Sequence, residues 1–156
     1  MNTDQIKKLR EETGAGVMEC RRALLDARDN YEKAKEILAS SALAVAKKKA
    51  DRATNHGLIE GYVHAGKIGV LVEASCESDF VAKNPIFKEM AHQVAMQIAS
   101  MNPENVEELL EQEFIMDSKM KVSDYINSKI LVIKENMKIK RFIRFELGEI
   151  LANNES

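Results

Sequence analysis

Apolar residues recur at helical spacing through the amino-terminal third of the chain. Thr3 can cap a first helix that Gly14 would end, and Asn30 can cap a third helix after a short second one. The pattern predicts a small three-helix bundle. Its apolar stripes would be Ile6 and Leu9, then Val17, Cys20, Leu24 and Ala27, then Tyr31, Ala34, Leu38, Ala42 and Val45.

From residue 57 onward the spacing changes to that of strands. The stretches Leu58–His64 and Ile68–Cys76 flank a short turn at Ala65–Lys67, which predicts a hairpin. The second stretch is nearly all apolar, so we expect a central strand with one face covered by a helix. Alternation over Lys138–Leu147 predicts a third, amphipathic strand.

Helices are predicted around these strands. The longest would cover Pro85–Met101, because Asn84 can cap it and Pro fits a first turn. A short acidic helix is predicted over Glu104–Glu113, and Ser123 can cap another that runs to Lys134. On the longest helix we expect one apolar side and an outward polar side; the apolar residues are Phe87, Met90, Ala91, Val94, Ile98 and Met101, and the outward ones Lys88, His92 and Gln93.

These elements predict an α+β fold, with an amino-terminal three-helix module followed by a small antiparallel sheet packed with helices. We expect residues 1–52 to form the module and a basic linker, and residues 53–150 to form the core domain. Residues 151–156 are predicted to be a disordered tail.

Composition and charge narrow the classes of function. Charged residues make up 31% of the chain and hydrophobic residues 45%, as in ordinary soluble proteins, and a net charge of -2 argues against a general nucleic-acid binder. The basic run Lys47–Arg52 has no interleaved aromatic residues, so we interpret it as a solvated helix end and linker. Apolar runs are far shorter than the ~20 residues of a membrane helix, and the amino terminus resembles neither a signal nor a transit peptide. We therefore expect a cytoplasmic protein with no direct nucleic-acid or membrane partner.

No catalytic, cofactor or metal site can be assigned from the residues. The histidines lie on separate predicted elements, and Cys20 and Cys76 are too far apart for a paired metal-ligand motif or a disulfide framework. Buried thiols in a reducing compartment are the expectation. The chain is therefore not expected to be an enzyme.

The segment Ser78–Asn84 carries the most informative side chains. It places Phe80 beside Asp79 in a stretch that should be exposed, between a predicted strand and a predicted helix. A solvated Phe forfeits roughly 1.5 to 3 kcal/mol of burial, so it usually has either a place in the core or a partner. The residues alone leave both interpretations open: Phe80 folds back while Asp79 caps the next helix, or the pair contacts another molecule.

The same segment resembles the Thr-Asp-Phe-Val-Ala-Lys/Arg-Asn signature of the elongation factor Ts family, with Ser in place of the usual Thr. Lys7–Arg10 with Thr13–Cys20 resembles the family's amino-terminal signature, and Phe142–Glu149 resembles its carboxy-terminal one. Three separate matches are hard to obtain by chance. The resemblance covers Thr3–Glu149, and the chain is similar to the short form with one core subdomain, but it lacks the long helical hairpin usual there.

The resemblance implies a guanine nucleotide exchange factor that releases GDP from the translational GTPase elongation factor Tu. It assigns the disturbance of the GTPase magnesium and phosphate site to a contact by Ser78, Asp79, Phe80 and Val81, with the phenyl ring as the wedge. It also implies a ubiquitin-associated-type helical module with a weaker second contact by Val17, Met18 and Arg21. From the residues alone, Met18 could equally pack into the bundle core and Arg21 could simply be solvated.

Family members with one core copy pair as homodimers, which is the assembly that the resemblance implies here. The amphipathic edge Ile139–Phe145 could supply that contact, and a monomer that uses the edge for the GTPase stays open. Two other functions are weighed beside exchange. One is a ubiquitin-associated-like adaptor that holds a protein without altering a nucleotide site, and the other is a small hydrolase using His92 with Asp79, for which no nucleophile is evident.

Overall fold

The computed structural model describes residues 2–150, so the tail predicted over 151–156 lies outside the described residues. The elements follow one another from an amino-terminal run of helices into a mixed region of strands and helices. They are α1 (Thr3–Thr13), α2 (Val17–Asp26), α3 (Tyr31–Lys49), β1 (His56–His64), β2 (Ile68–Cys76), α4 (Asp79–Ala82), α5 (Pro85–Met101), α6 (Val106–Glu111), β3 (Glu113–Phe114), β4 (Asp117–Lys121), α7 (Val122–Ile133) and β5 (Met137–Glu146). The α+β prediction, with a helical module first, is confirmed.

Short polar residues and glycine set the ends of the first helices. The side chain of Asn2, and not that of Thr3 as predicted, caps α1 by accepting a backbone N–H bond at 2.9 Å, so Thr3 becomes the first helical residue. Gly14 ends α1 in the left-handed conformation at φ +72°. Asn30 caps α3 through its side-chain oxygen, as predicted.

The three helices bury a cluster of small and apolar side chains between them. Leu9, Cys20 and Leu24 are fully buried there, and Leu131 reaches into the same cluster from α7. Val17 was predicted in the buried stripe of α2 but is exposed, because it is the first residue of the helix and lies outside the packed face. The helical module therefore rests on α7 rather than standing free.

Strand β2 is the central strand of an antiparallel sheet with the order β1-β2-β5. The hairpin turn forms because Ala65 and Gly66 both take positive φ, which allows His64 to pair with Ile68. Helix α5 covers one face of the sheet. Val70, Val72 and Ala74 of β2 are buried in that core with Phe87, Met90, Val94 and Ile98 of the helix, and the predicted hairpin and central strand are confirmed.

Asn84 and Pro85 start α5 as predicted, since the Asn84 side chain accepts the N–H of Ile86 at 2.8 Å. The far end differs from the prediction in one residue. Met101 was placed on the buried side, but it is exposed because Asn102 turns the chain away there in the left-handed conformation.

A short β3–β4 ladder follows α6, where only a short acidic helix over Glu104–Glu113 and no strand was predicted. The fully buried Gln97 of α5 holds it in place. Its amide nitrogen donates to the carbonyl of Glu113 at 3.0 Å, and its oxygen accepts the N–H of Ile115 at 2.8 Å. The buried amide thus ties the β3–β4 segment to α5.

Helix α7 begins at Val122 after the cap residue Lys121. The prediction that Ser123 caps this helix is therefore wrong. The carboxylate of Asp124 accepts the N–H of Lys121 at 2.9 Å. After α7, the buried Asn136 donates to the carbonyl of Arg52 at 2.8 Å and so ties the segment after α3 to the start of β5. Lysines 47–49 form the last turn of α3, in agreement with the predicted helix end.

The buried residues form two hydrophobic clusters, one in the helical module and one beneath the sheet, and both receive side chains from across the predicted boundary between residues 52 and 53, such as Leu131 in the first and Val45 in the second. That division into domains stays a prediction. Across residues 2–150, the helices are all too short or too polar to cross a bilayer.

Candidate partner-binding site

Helix α4 is a single turn that presents the Ser78–Asn84 segment at the surface. Ser78 caps the turn, since its hydroxyl accepts the N–H of Val81 at 3.2 Å. Val81 and Ala82 point inward and are buried beside β1 and β2. Asn84 then starts α5, so the turn is fixed at both of its ends. Val81, predicted among the contact residues, serves inside this structure as an anchor.

Phe80 is 82% exposed at the outer side of this turn. The interpretation that its ring folds back into the core is therefore wrong. Asp79 is also exposed, and it does not cap α5, because Asn84 does so. The turn thus displays an unpaired phenyl ring to solvent while its inner residues hold it to the core.

The side chain of Lys83 pairs with the carboxylate of Asp79. The Lys83 ammonium lies 2.9 Å from a carboxylate oxygen, and both side chains are largely exposed. The hydrogen bond from Lys83 holds the pKa of the Asp79 carboxyl below its usual value. Asp79 therefore stays ionised at neutral pH.

Behind the turn, Glu135 receives three hydrogen bonds from the segment that leads into α4. One carboxylate oxygen accepts the N–H groups of Glu77 at 3.1 Å and Ser78 at 3.0 Å, and the other accepts the Ser78 hydroxyl at 2.7 Å. Cys76 adds a weak bond from its thiol to the Ser78 carbonyl at 3.2 Å. Glu135 could not be identified from the sequence, because its partners lie 57 and 58 residues away.

The second group of predicted contact residues lies on the outer side of α2. Met18 is 67% exposed, and Val17 and Arg21 are exposed as well, so the alternative that Met18 packs into the bundle core is wrong. Glu19 fixes the start of this helix by accepting the N–H of Gly16 at 2.9 Å. Among the described residues, no hydrogen bond or ion pair joins this group to the α4 turn.

The histidine that a hydrolase would need is paired elsewhere. His92 Nδ1 lies 3.2 Å from a carboxylate oxygen of Glu60, and its ring packs edge-on against Tyr62. Asp79 pairs with Lys83 instead of His92, so the predicted acid–base pair of the hydrolase alternative is not assembled. Over the described range, no cluster of His, Cys, Asp or Glu residues suits a metal ion. Cys20 and Cys76 are free thiols and both are buried.

The face of the sheet opposite α5 is uncovered and largely apolar. We call it the open face. Leu71 lies at its centre and pairs with Gly61 of β1 and Ile143 of β5. From the sequence, an amphipathic edge was predicted only at Ile139–Phe145. The exposed apolar side chains extend across the whole sheet and are Ile59, Val63, Leu71, Ile143 and Phe145.

Comparison with known proteins places these features in a family context. The family model described as Elongation factor TS matches residues 42–109, from within α3 to α6. A protein from Carboxydothermus hydrogenoformans named Elongation factor Ts is 41% identical over an alignment that covers 99% of this chain and 93% of the relative. Those of Alkaliphilus metalliredigens and Thermotoga maritima, with the same name, are 37% and 39% identical, each over 96% of this chain and over 91% and 97% of the relatives.

These alignments are longer than the chain. They extend over 201, 195 and 193 positions, whereas the chain has 156 residues. The relatives therefore carry segments that have no counterpart here.

Proposed function

The chain belongs to the elongation factor Ts family of translation elongation factors, and from this premise we propose that it is a guanine nucleotide exchange factor. In this proposal the chain binds elongation factor Tu in its GDP-bound form and promotes release of GDP. No covalent bond is made or broken by the chain, so it acts without a chemical active site. This nucleotide exchange would take place in the cytoplasm, where translation elongation proceeds.

The observation that carries the proposal is the exposure of Phe80 on a fixed turn. A phenyl ring left in water is costly, and burial against a partner recovers roughly 1.5 to 3 kcal/mol. Because Ser78 caps the turn and Val81 anchors it, little conformational freedom has to be lost when the ring enters a partner. The ring is therefore suited to act as a wedge.

Exchange follows from differential binding. A protein that binds the nucleotide-free GTPase more tightly than the GDP-bound form must weaken GDP by the same factor, because coupling between two ligands is reciprocal. Each tenfold of weakening needs about 1.4 kcal/mol of preferential contact. Since several tenfolds are needed, Phe80 would act together with further contacts.

Asp79 is the neighbouring candidate for such a contact. Its carboxylate is ionised and exposed, and it is held only by the exposed Lys83. In the proposed complex it would compete for positive groups near the GTPase magnesium and phosphate site while Phe80 displaces the neighbouring backbone. Loss of magnesium would leave the diphosphate oxygens poorly compensated and speed the departure of GDP.

The exposed residues of α2 are proposed as the second contact. Val17 and Met18 give an apolar surface, and Arg21 adds a positive charge beside it. Such an arrangement fits a docking contact whose loss weakens binding of both nucleotide states equally. Substitution of Met18 should therefore change affinity and leave the maximal rate of GDP release nearly unchanged.

We further propose that two copies of the chain pair through the open face. The five exposed apolar side chains there form one surface on three adjacent strands. A self-complementary pairing would bury this surface on both copies at once. The alternative is a monomer that uses this face for the GTPase, and its apolar side chains would then stay in water until the GTPase binds.

The test of the exchange proposal is stopped-flow release of fluorescent GDP from elongation factor Tu. The unmodified chain should accelerate release, and Phe80→Ala should lose most of that acceleration. Leu43→Ala is the matched control, since Leu43 is an exposed apolar residue on α3. Equal acceleration by the Phe80 variant and the control would contradict the assignment of the wedge.

The adaptor alternative gives a different pattern. An adaptor that holds a protein through its helical module has no need of an exposed phenyl ring on α4. Binding without any acceleration of GDP release, unchanged by Phe80→Ala, would favour the adaptor over the exchange factor.

A further inference from the structure

Two carboxylates tie the turn that carries Phe80 to the junction of α7 and β5. Glu135 accepts the three bonds from Glu77 and Ser78 described above. In return, the carboxylate of Glu77 accepts the backbone N–H of Asn136. The segments 77–78 and 135–136 therefore hold each other through reciprocal side-chain to backbone bonds.

We propose that Glu135 is the positioning residue for Phe80, an inference that rests on the proposed function of the α4 turn. A one-turn helix is too short to be stable by itself, because nucleation fixes several residues for few hydrogen bonds. Glu135 supplies the missing acceptors at the amino-terminal side of the turn. It also orients the Ser78 hydroxyl, which donates to Glu135 and accepts from Val81.

The negative charge of Glu135 strengthens the bonds that it accepts. Bonds from N–H groups to an ionised carboxylate are roughly twice as strong as neutral ones. The nearby negative charge of Glu77 is offset by the Asn136 N–H and by Arg52, whose guanidinium lies 3.7 Å from it. The carboxylates of Glu135 and Glu77 are thus both held in place beside the segment that leads into α4.

We call the reciprocal bonds between residues 77–78 and 135–136 the clasp. The clasp would remove the entropic cost of ordering the turn on binding. A mobile turn must be immobilised when Phe80 enters the partner, and that cost subtracts from the contact energy. A fixed turn presents the ring already in place. Weakening the clasp should therefore slow GDP release at saturating concentrations of the factor more than it changes the apparent affinity.

Glu135→Gln is the test variant, because it keeps the shape of the side chain and removes the charge. Hydrogen exchange of the Glu77 and Ser78 amides reports on the clasp without any partner present. We expect the exchange rate of these amides to be about tenfold higher in the variant, a change that corresponds to about 1.4 kcal/mol. Glu108→Gln is the matched control, since Glu108 also accepts a backbone N–H, from Glu104, but on α6.

A second readout uses the absence of tryptophan from the chain. Phe80→Trp places a single tryptophan on the turn, which can be excited selectively over the three tyrosines, and its anisotropy reports local motion. Glu135→Gln in this background should lower the anisotropy, and Glu108→Gln should not. Unchanged amide exchange and unchanged anisotropy would overturn the proposal that Glu135 holds the turn.

The link to function is tested by a double-mutant cycle in the GDP-release assay. Glu135→Gln alone should slow release about tenfold at saturating factor, and it should have little further effect in a chain that already carries Phe80→Ala. Equal effects in both backgrounds would overturn the positioning role, because Glu135 would then act through general stability. No acceleration by the unmodified chain would overturn the proposed function and the functional half of this inference, and the amide exchange would still decide the structural half.

Discussion

Replacing Leu71 with Asp should separate the two copies of the proposed dimer. Leu71 lies at the centre of the open face and is 52% exposed in the single chain. Full burial of a leucine side chain stabilises by roughly 1.5 to 3 kcal/mol, so about 1 kcal/mol remains to be gained when a second copy covers the exposed half. An unpaired carboxylate in the same place adds at least a similar cost.

The substitution would cost about 2 kcal/mol in each copy. Because a two-fold interface contains the residue twice, the cost for the dimer is about 4 kcal/mol, which raises its dissociation constant roughly 1000-fold. The fold itself should lose only about 1 kcal/mol of unfolding free energy, since half of the side chain is already in water. Circular dichroism melting separates this effect from dissociation.

Sedimentation velocity over a range of concentrations is the assay. Leu25→Asp is the matched control, because Leu25 is 57% exposed but lies on α2, away from the sheet. The unmodified chain and the control should sediment as dimers at concentrations where Leu71→Asp is a monomer. An unmodified chain that stays monomeric throughout, or a control that dissociates as readily as Leu71→Asp, would refute the reasoning.

Four further predictions concern the frame around the site. Gly57→Ala should lower the unfolding free energy by at least about 2 kcal/mol in a urea titration. The reason is that Gly57 has φ +154° and that a Cβ there would collide with a carbonyl of β2. Unchanged stability would contradict this close approach. Gln97→Leu should cost about 2 to 5 kcal/mol in the same assay, since two backbone groups of the β3–β4 segment lose their partner; a loss below about 1 kcal/mol would argue that these groups find other partners. Lys83→Ala should raise the pKa of Asp79 toward its ordinary value in a carboxyl NMR titration, so that Asp79 loses its charge at a higher pH than before; an unmoved titration would exclude Lys83 as the cause. Cys76 should react with a thiol reagent only when the chain unfolds, because burial raises the pKa of its thiol to about 11; fast reaction of the folded chain would contradict that burial.

The main sheet and α5 could be predicted from the sequence because their signals are local. The nearly continuous apolar run of β2 indicated a central strand, and Asn84 with Pro85 marked the start of α5. The β3–β4 ladder could not be predicted in this way. Two strand residues, Glu113 and Phe114, give no periodic signal, and the buried Gln97 that holds them comes from another helix.

The orientation of the candidate site was open for a similar reason. Phe80, Val81 and Ala82 are three consecutive apolar residues, and any of them could have been the buried one. Their orientation depends on how the single turn is held, which Ser78 and Glu135 decide across 57 residues of sequence. Sequence patterns reflect neighbours along the chain and carry no signal for the contact between Ser78 and Glu135.

The open face did leave a signal in the sequence. Apolar residues of β2 fall on both sides of the strand, although a helix was predicted to cover only one face. That helix is α5. Leu71 lies on the other face of β2 and is half exposed, and no cover for that face was predicted from the sequence.

The most direct test of the exchange mechanism is the affinity of the chain for the nucleotide-free and the GDP-bound forms of elongation factor Tu, measured by calorimetry. The nucleotide-free form should bind more tightly, by the same factor by which the chain weakens GDP, and Phe80→Ala should reduce that factor. Equal affinity for the two forms, or a factor unchanged by Phe80→Ala, would contradict exchange through the phenyl wedge.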